Sequence, residues 1–158
     1  MSNLNISVRS LMIPMVSDTL LLPNASLAEI VTYNPPEAVK DSPDWCMGML
    51  HWRGLEVPLV SFEGIQNAGA SEVSKKSRIA VFNSLGGNGK LPFFAVVVQG
   101  IPHLLQANQS VVTALAEDAG DESAVLAHVL VEAEPAVIPD LDLIESMILE
   151  EPSICSCL

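Results

Sequence analysis

Apolar residues in this chain come in short runs. None is longer than residues 91–98, and they alternate with clusters rich in Gly, Pro, Asn, Asp and Ser. Runs of four to eight apolar residues between turn formers have the length of strands, whereas helices of ordinary size need ten or more. The chain is therefore expected to be mainly β, built as small barrels or a sandwich. Candidate strands cover residues 11–16, 19–22, 28–32, 47–52, 55–62, 78–85, 91–99, 124–132 and 136–138. Residues 33–45 carry Pro35, Pro36 and Pro43, which exclude a central strand or a helix interior. Arg53-Gly54 and residues 86–90 read as hairpin turns, because Gly and Asn supply the positive φ angles that a reversing strand pair needs. Residues 63–77 and 118–123 read as loops, and residues 109–116 as a short helical turn. Only residues 140–150 have helical periodicity, with Leu141, Ile144, Met147 and Ile148 on one face and Asp140 placed to cap. A length of 158 residues fits one domain or two small lobes sharing a core.

Composition narrows the function classes. Only 16% of residues are charged, below the usual ~25%, and such a surface suits an apolar area committed to a partner. Residues 1–90 hold all seven basic residues and eight acidic ones, whereas residues 91–158 hold eleven acidic residues and no Lys or Arg. With a net charge of −12 the chain has no footprint for a phosphate backbone, so no nucleic-acid partner is expected. It also lacks a polybasic membrane anchor and a spanning segment, so no direct membrane insertion is expected. Three cysteines, Cys46, Cys155 and Cys157, form no disulfide framework and fit a reducing, cytoplasmic setting. The closing Cys-Ser-Cys-Leu copies a prenylation box only loosely and reads as part of an acidic tail.

Catalytic signals are sparse. The three His residues stand far apart without a metal-ligand frame, so no metal site and no cofactor are expected. His128, inside an apolar run, reads as a satisfied core or groove residue. Residues 86–90 fail the phosphate-loop pattern, since Ser84 stands where its first Gly belongs and Leu91 follows Lys90. Cys46 with His51, or an acidic pair in the second half, is the most that a hydrolase could draw on. What stands out is residues 45–61, which place Trp45, Trp52 and Arg53 together in an aromatic-poor, acidic chain. Trp and Arg are enriched at interface hot spots. The other reading puts both Trp residues in the core and leaves Arg53 as turn decoration.

This same segment resembles the signature of CheW-like domains, the adaptors of bacterial chemosensory arrays. The resemblance rests on Gly48, on Arg53-Gly54 and on Val57-Pro58-Leu59-Val60. It extends to Leu27-Ala28-Glu29-Ile30-Val31, to the strand pair at residues 79–82 and 93–98, and to the closing strand and helix at residues 137–147. It implies a single domain over residues 10–150, made of two SH3-like five-stranded β-barrel lobes packed on a hydrophobic seam with a C-terminal helix. Residues 151–158 are left as an acidic, cysteine-bearing tail. The implied function is non-catalytic: coupling methyl-accepting chemoreceptors to a CheA-type histidine kinase. Glu29, Gly48 and Arg53 match positions implicated in partner contact. Leu27, His51, Trp52 and Gly54 are their neighbours at the expected partner-binding surface. The sequence departs from the family pattern in several places: His51-Trp52 replaces Asn-Leu, Ser61 replaces Asp, Ala95 and Gln99 alter a later strand, and His128 replaces Gly. These departures point to a divergent branch, most like the pilus-associated ChpC branch of twitching-motility systems. The alternative is a β-barrel interaction module for an unrelated motility regulator.

Overall fold

The computed structural model describes residues 8–16, 18–66, 73–86, 89–108, 111–114 and 125–158. Among these, the apolar runs form eleven strands in two sheets. The strands are β1 (Val8–Pro14), β2 (Thr19–Pro23), β3 (Leu27–Thr32), β4 (Cys46–Trp52), β5 (Leu55–Val60), β6 (Arg78–Asn83), β7 (Phe93–Val98), β8 (His103–Ala107), β9 (Val112–Ala114), β10 (Val125–Val131) and β11 (Glu134–Pro139). One sheet has the order β3-β6-β7-β5-β4, and the other β8-β1-β2-β11-β10-β9. The expected mainly β architecture of two packed units is present; one sheet has the expected five strands, and the other has six.

Burial on both faces explains the continuous apolar character of β6 and β7. Their residues Ile79, Val81, Ala95 and Val97 join Leu50, Val57 and Leu59 in a cluster belonging to the five-stranded sheet alone. The alternate residues Ala80, Phe82, Phe94, Val96 and Val98 point the other way. They meet Leu11, Ile13, Leu20 and Leu22 of the six-stranded sheet in the main core. Met12, Leu21, Val129, Val131 and Ala136 form a third cluster within the six-stranded sheet. Each sheet thus carries a private core, and the two share an apolar seam.

Both sheets curl. The outer strands β8 and β9 are consecutive in the chain, with residues 108–111 between them. A flat six-stranded sheet would hold its edges about 24 Å apart, and a four-residue link reaches only about 18 Å. In the five-stranded sheet the proline-bearing segment spans from β3 to β4. It is pinned midway by Glu37, whose N–H and C=O pair with the C=O and N–H of Met49 at 2.9 and 2.8 Å.

Several expectations are corrected. Where a helical turn was expected over 109–116, residues 112–114 form strand β9, paired with β10 through Val112 and Val131, while 109–110 and 115–116 lie outside the described residues. Next to it, β8 was not foreseen, because its exposed edge position leaves the apolar alternation weak. The run at 55–62 ends as a strand at Val60, because Ser61 caps a one-turn helix α1 (Phe62–Ile65) by accepting from the Gly64 N–H at 2.9 Å. The loop expected at 63–77 therefore begins with helix, while residues 67–72 lie outside the described residues, as do 87–88 of the expected turn and 118–123.

Helix α2 (Leu141–Leu149) forms where the periodicity placed it, capped by Asp140, which accepts from the Leu143 N–H at 3.0 Å. Its inner face also carries Glu145, 3% exposed, whose carboxylate accepts from the backbone N–H groups of Leu85 and Gly86. The segment expected to be an acidic tail continues as helix α3 (Pro152–Cys155), and Ile154 is fully buried in the main core.

Candidate interaction site

The Arg53-Gly54 turn joins β4 to β5 with only two residues. Arg53 has φ 49° and Gly54 φ 77°. Two successive positive φ values make a type I′ turn, whose twist suits a two-residue hairpin. Glycine takes this conformation freely, whereas Arg53 does so at a cost of about 1–2 kcal/mol. The turn therefore presents a strained arginine at its tip, 65% exposed through its side chain.

Two partners meet Arg53, one from the end of the preceding strand and one from the opposite edge of the sheet. Its guanidinium carbon lies 4.8 Å from the ring centroid of Trp52, within cation–π range. Its Nη2 donates to Glu29 Oε1 at 3.3 Å. The indole Nε1–H of Trp52 donates to the other oxygen of Glu29, Oε2, at 2.7 Å. Glu29 and Trp52 belong to the two outer strands of the five-stranded sheet, so this bond ties one edge to the other. Beneath it, Phe93 meets the Trp52 ring edge-on with centroids 4.8 Å apart.

A bulge decides which residues of β3 face this site. Leu27 pairs with Phe82 and Glu29 with Val81, so β3 holds one extra residue, Ala28, against β6. The alternation shifts there. Leu27 and Ile30 pack against the seam, while Val31 packs against the sheet's private core. Leu27 is thereby removed from the face that Glu29 presents. Gly48 is also apart. It is buried, with φ 138°, and a Cβ added to it would lie 2.3 Å from the Glu37 carbonyl oxygen. It lets the proline-bearing loop dock and offers no surface to a partner. His51 is exposed and sits 2.8 Å from Glu56 through Nδ1 and Oε1. A cleft of about 490 Å³ opens beside these groups, lined in part by Val31, Asn34, Glu37, Leu50, His51 and Trp52.

The two tryptophans do not form one patch. Trp45 packs at the margin of the main core, while Trp52 belongs to the private core of the five-stranded sheet. Cys46 and His51 are five residues apart on one strand, about 16 Å at ordinary strand rise, too far for a nucleophile and its base. Burial pushes the Cys46 thiol above its ordinary pKa, the wrong direction for an activated thiolate. Among the described residues no group of three His, Cys, Asp or Glu could hold a metal ion, and no helix is long and apolar enough to cross a membrane.

The profile of the CheW-like domain family matches residues 9–147. The chain belongs to that family. Among solved structures, this CheW-like domain resembles the scaffolding protein TtCheW from Thermoanaerobacter tengcongensis. The TM-score is 0.71, the sequence identity 15%, and 89% of each chain is covered. At that identity the likeness establishes the fold. Comparison with curated protein sequences gives no match.

Sequence reasoning missed two members of the site. Glu56 was within reach, since counting outward from a two-residue turn at 53–54 places residue 56 opposite residue 51, as the ladder has it. Phe93 carried no signal, because its contact with Trp52 joins strands far apart in the chain.

Proposed function

We propose that this CheW-like domain is a non-catalytic, cytoplasmic adaptor that couples methyl-accepting chemoreceptors to a CheA-type histidine kinase. The observation that carries the reading is the exposed Arg53, stacked on Trp52 and held by Glu29 on a tight turn, in a member of the CheW-like family. An arginine fixed in this way loses little side-chain freedom on binding, which is the condition for an interface anchor. Partner-facing roles fall to Glu29, His51, Arg53 and Gly54, while buried Trp52 acts through Arg53 and Glu29, and Leu27 and Gly48 act through the fold. Coupling requires that receptor and kinase occupy different surfaces and that their joint binding shifts the kinase between activity states. The substitutions His51-Trp52 ahead of the turn support a divergent branch, and we assign the adaptor to a type IV pilus twitching-motility system.

The test is binding of the purified protein to the cytoplasmic hairpin of a chemoreceptor and, separately, to the regulatory domain of its kinase. Arg53→Ala should weaken one of the two by ~1–3 kcal/mol while scarcely altering stability. Absence of binding to both refutes the coupling function and directs the search to another motility regulator.

A further inference from the structure

Glu29 is shared between two donors in a way that bears on what Arg53 can do. A carboxylate and a guanidinium left to themselves favour a forked pair, with two parallel N–H···O bonds of 2.7–2.9 Å. Here the indole of Trp52 holds Oε2 at 2.7 Å, and Arg53 keeps only one contact, to Oε1, at 3.3 Å. The short bond goes to the neutral donor and the long one to the cation. Trp52 cannot yield easily, because it is 9% exposed and wedged against Phe93. Its ring also lies beneath the guanidinium carbon, a contact that uses none of the five N–H donors of Arg53. Arg53 is the sole Lys or Arg between Lys40 and Lys75.

We propose that Trp52 is a positioning residue that sets the availability of Arg53: by anchoring Glu29 through a short bond to Oε2 it holds the carboxylate in an orientation that leaves Arg53 one long contact and keeps the forked pair from closing. The guanidinium stays free to take a carboxylate of a protein partner. The inference deepens the proposed function and rests on it for the existence of that partner. The indole switch itself can be measured in the isolated protein.

The test is a double-mutant cycle between Glu29→Gln and Arg53→Met, read on the unfolding equilibrium constant, in the native and Trp52→Phe backgrounds. The native pair should couple by no more than about twofold, in keeping with a long exposed contact. In Trp52→Phe, which keeps a ring but removes the N–H, coupling should rise to about fivefold or more as the fork closes. An unchanged coupling overturns the inference whatever the partner does. If Trp52→Phe does not fold, the indole N–H resonance carries the test. Glu29→Gln should move the Trp52 signal and leave that of Trp45 in place, and an unmoved Trp52 signal overturns the inference. In binding to receptor hairpin or kinase domain, Trp52→Phe should raise Kd about three- to fivefold, and should add nothing once Arg53 is Ala. If coupling rises as expected and Arg53→Ala leaves both affinities unchanged, the interface reading fails while the indole switch stands.

Discussion

Replacing Gly48 with Ala should be among the most damaging single-methyl changes available to this protein. The added Cβ would sit 2.3 Å from the carbonyl oxygen of Glu37 and 2.9 Å from its carbonyl carbon. Both are backbone atoms, so no side chain can rotate away. Relief requires the 33–45 loop to lift from β4, which breaks the two bonds between Glu37 and Met49, worth about 0.5–1.5 kcal/mol each. Holding a non-glycine residue at φ 138° adds about 1–3 kcal/mol. The expected loss is therefore about 2–6 kcal/mol, or roughly 4–24 °C in Tm for a domain of this size. Gly54→Ala is the internal control. It has φ 77° and open space around its Cβ position, so it should cost only about 1 kcal/mol. Urea unfolding of both variants decides the matter. Equal costs for the two, or less than about 1 kcal/mol for Gly48→Ala, would refute the docking argument. If Gly48→Ala weakens partner binding, the loss should follow the fraction unfolded.

Three further outcomes follow from buried groups. Ile154→Ala empties a fully buried position in the main core and should cost about 2–4 kcal/mol by chemical denaturation; a neutral result would mean that the segment after α2 is not part of the cooperative fold. Glu145→Ala strands the N–H groups of Leu85 and Gly86 and should destabilise by about 1–3 kcal/mol, with faster amide exchange at both residues, whereas a surface glutamate would show neither. Because burial raises the Cys46 thiol, its folded form disfavours the thiolate, so this group's stabilising contribution is lost as pH rises through the thiol range. Timed alkylation at neutral pH should accordingly label exposed Cys157 well before Cys46, and the reverse order would refute the burial argument.

Legibility varied with how local the cause was. The β3, β4, β6 and β7 runs and helix α2 could be read from the sequence because apolar period, turn chemistry and capping all act within a few residues. The Arg53-Gly54 turn was visible for the same reason, and it carries the strand register with it. Strand β8 was not legible: an exposed edge strand needs no inward alternation, so His103–Ala107 left no pattern. Segment 151–158 carried an equally weak signal, since its one fully buried residue, Ile154, sits in a stretch too short to show a period. Glu145 looked like one more solvated acid, and only its reach to a turn about sixty residues away shows otherwise.

By itself the sequence determined that the chain is β-rich, where its hairpins turn, that its second half is acidic, and which family it resembles. All of these are properties of neighbours along the chain or of total charge. Tertiary structure alone decided which of the candidate residues meet. The bulge at Ala28 turned Glu29 away from Leu27, the pairing of strands set the indole of Trp52 against a carboxylate 23 positions earlier, and the proline-bearing loop took Gly48 out of reach of solvent. Such contacts depend on how two sheets curl and where a ladder slips by one residue, and neither is encoded in any window short enough to read.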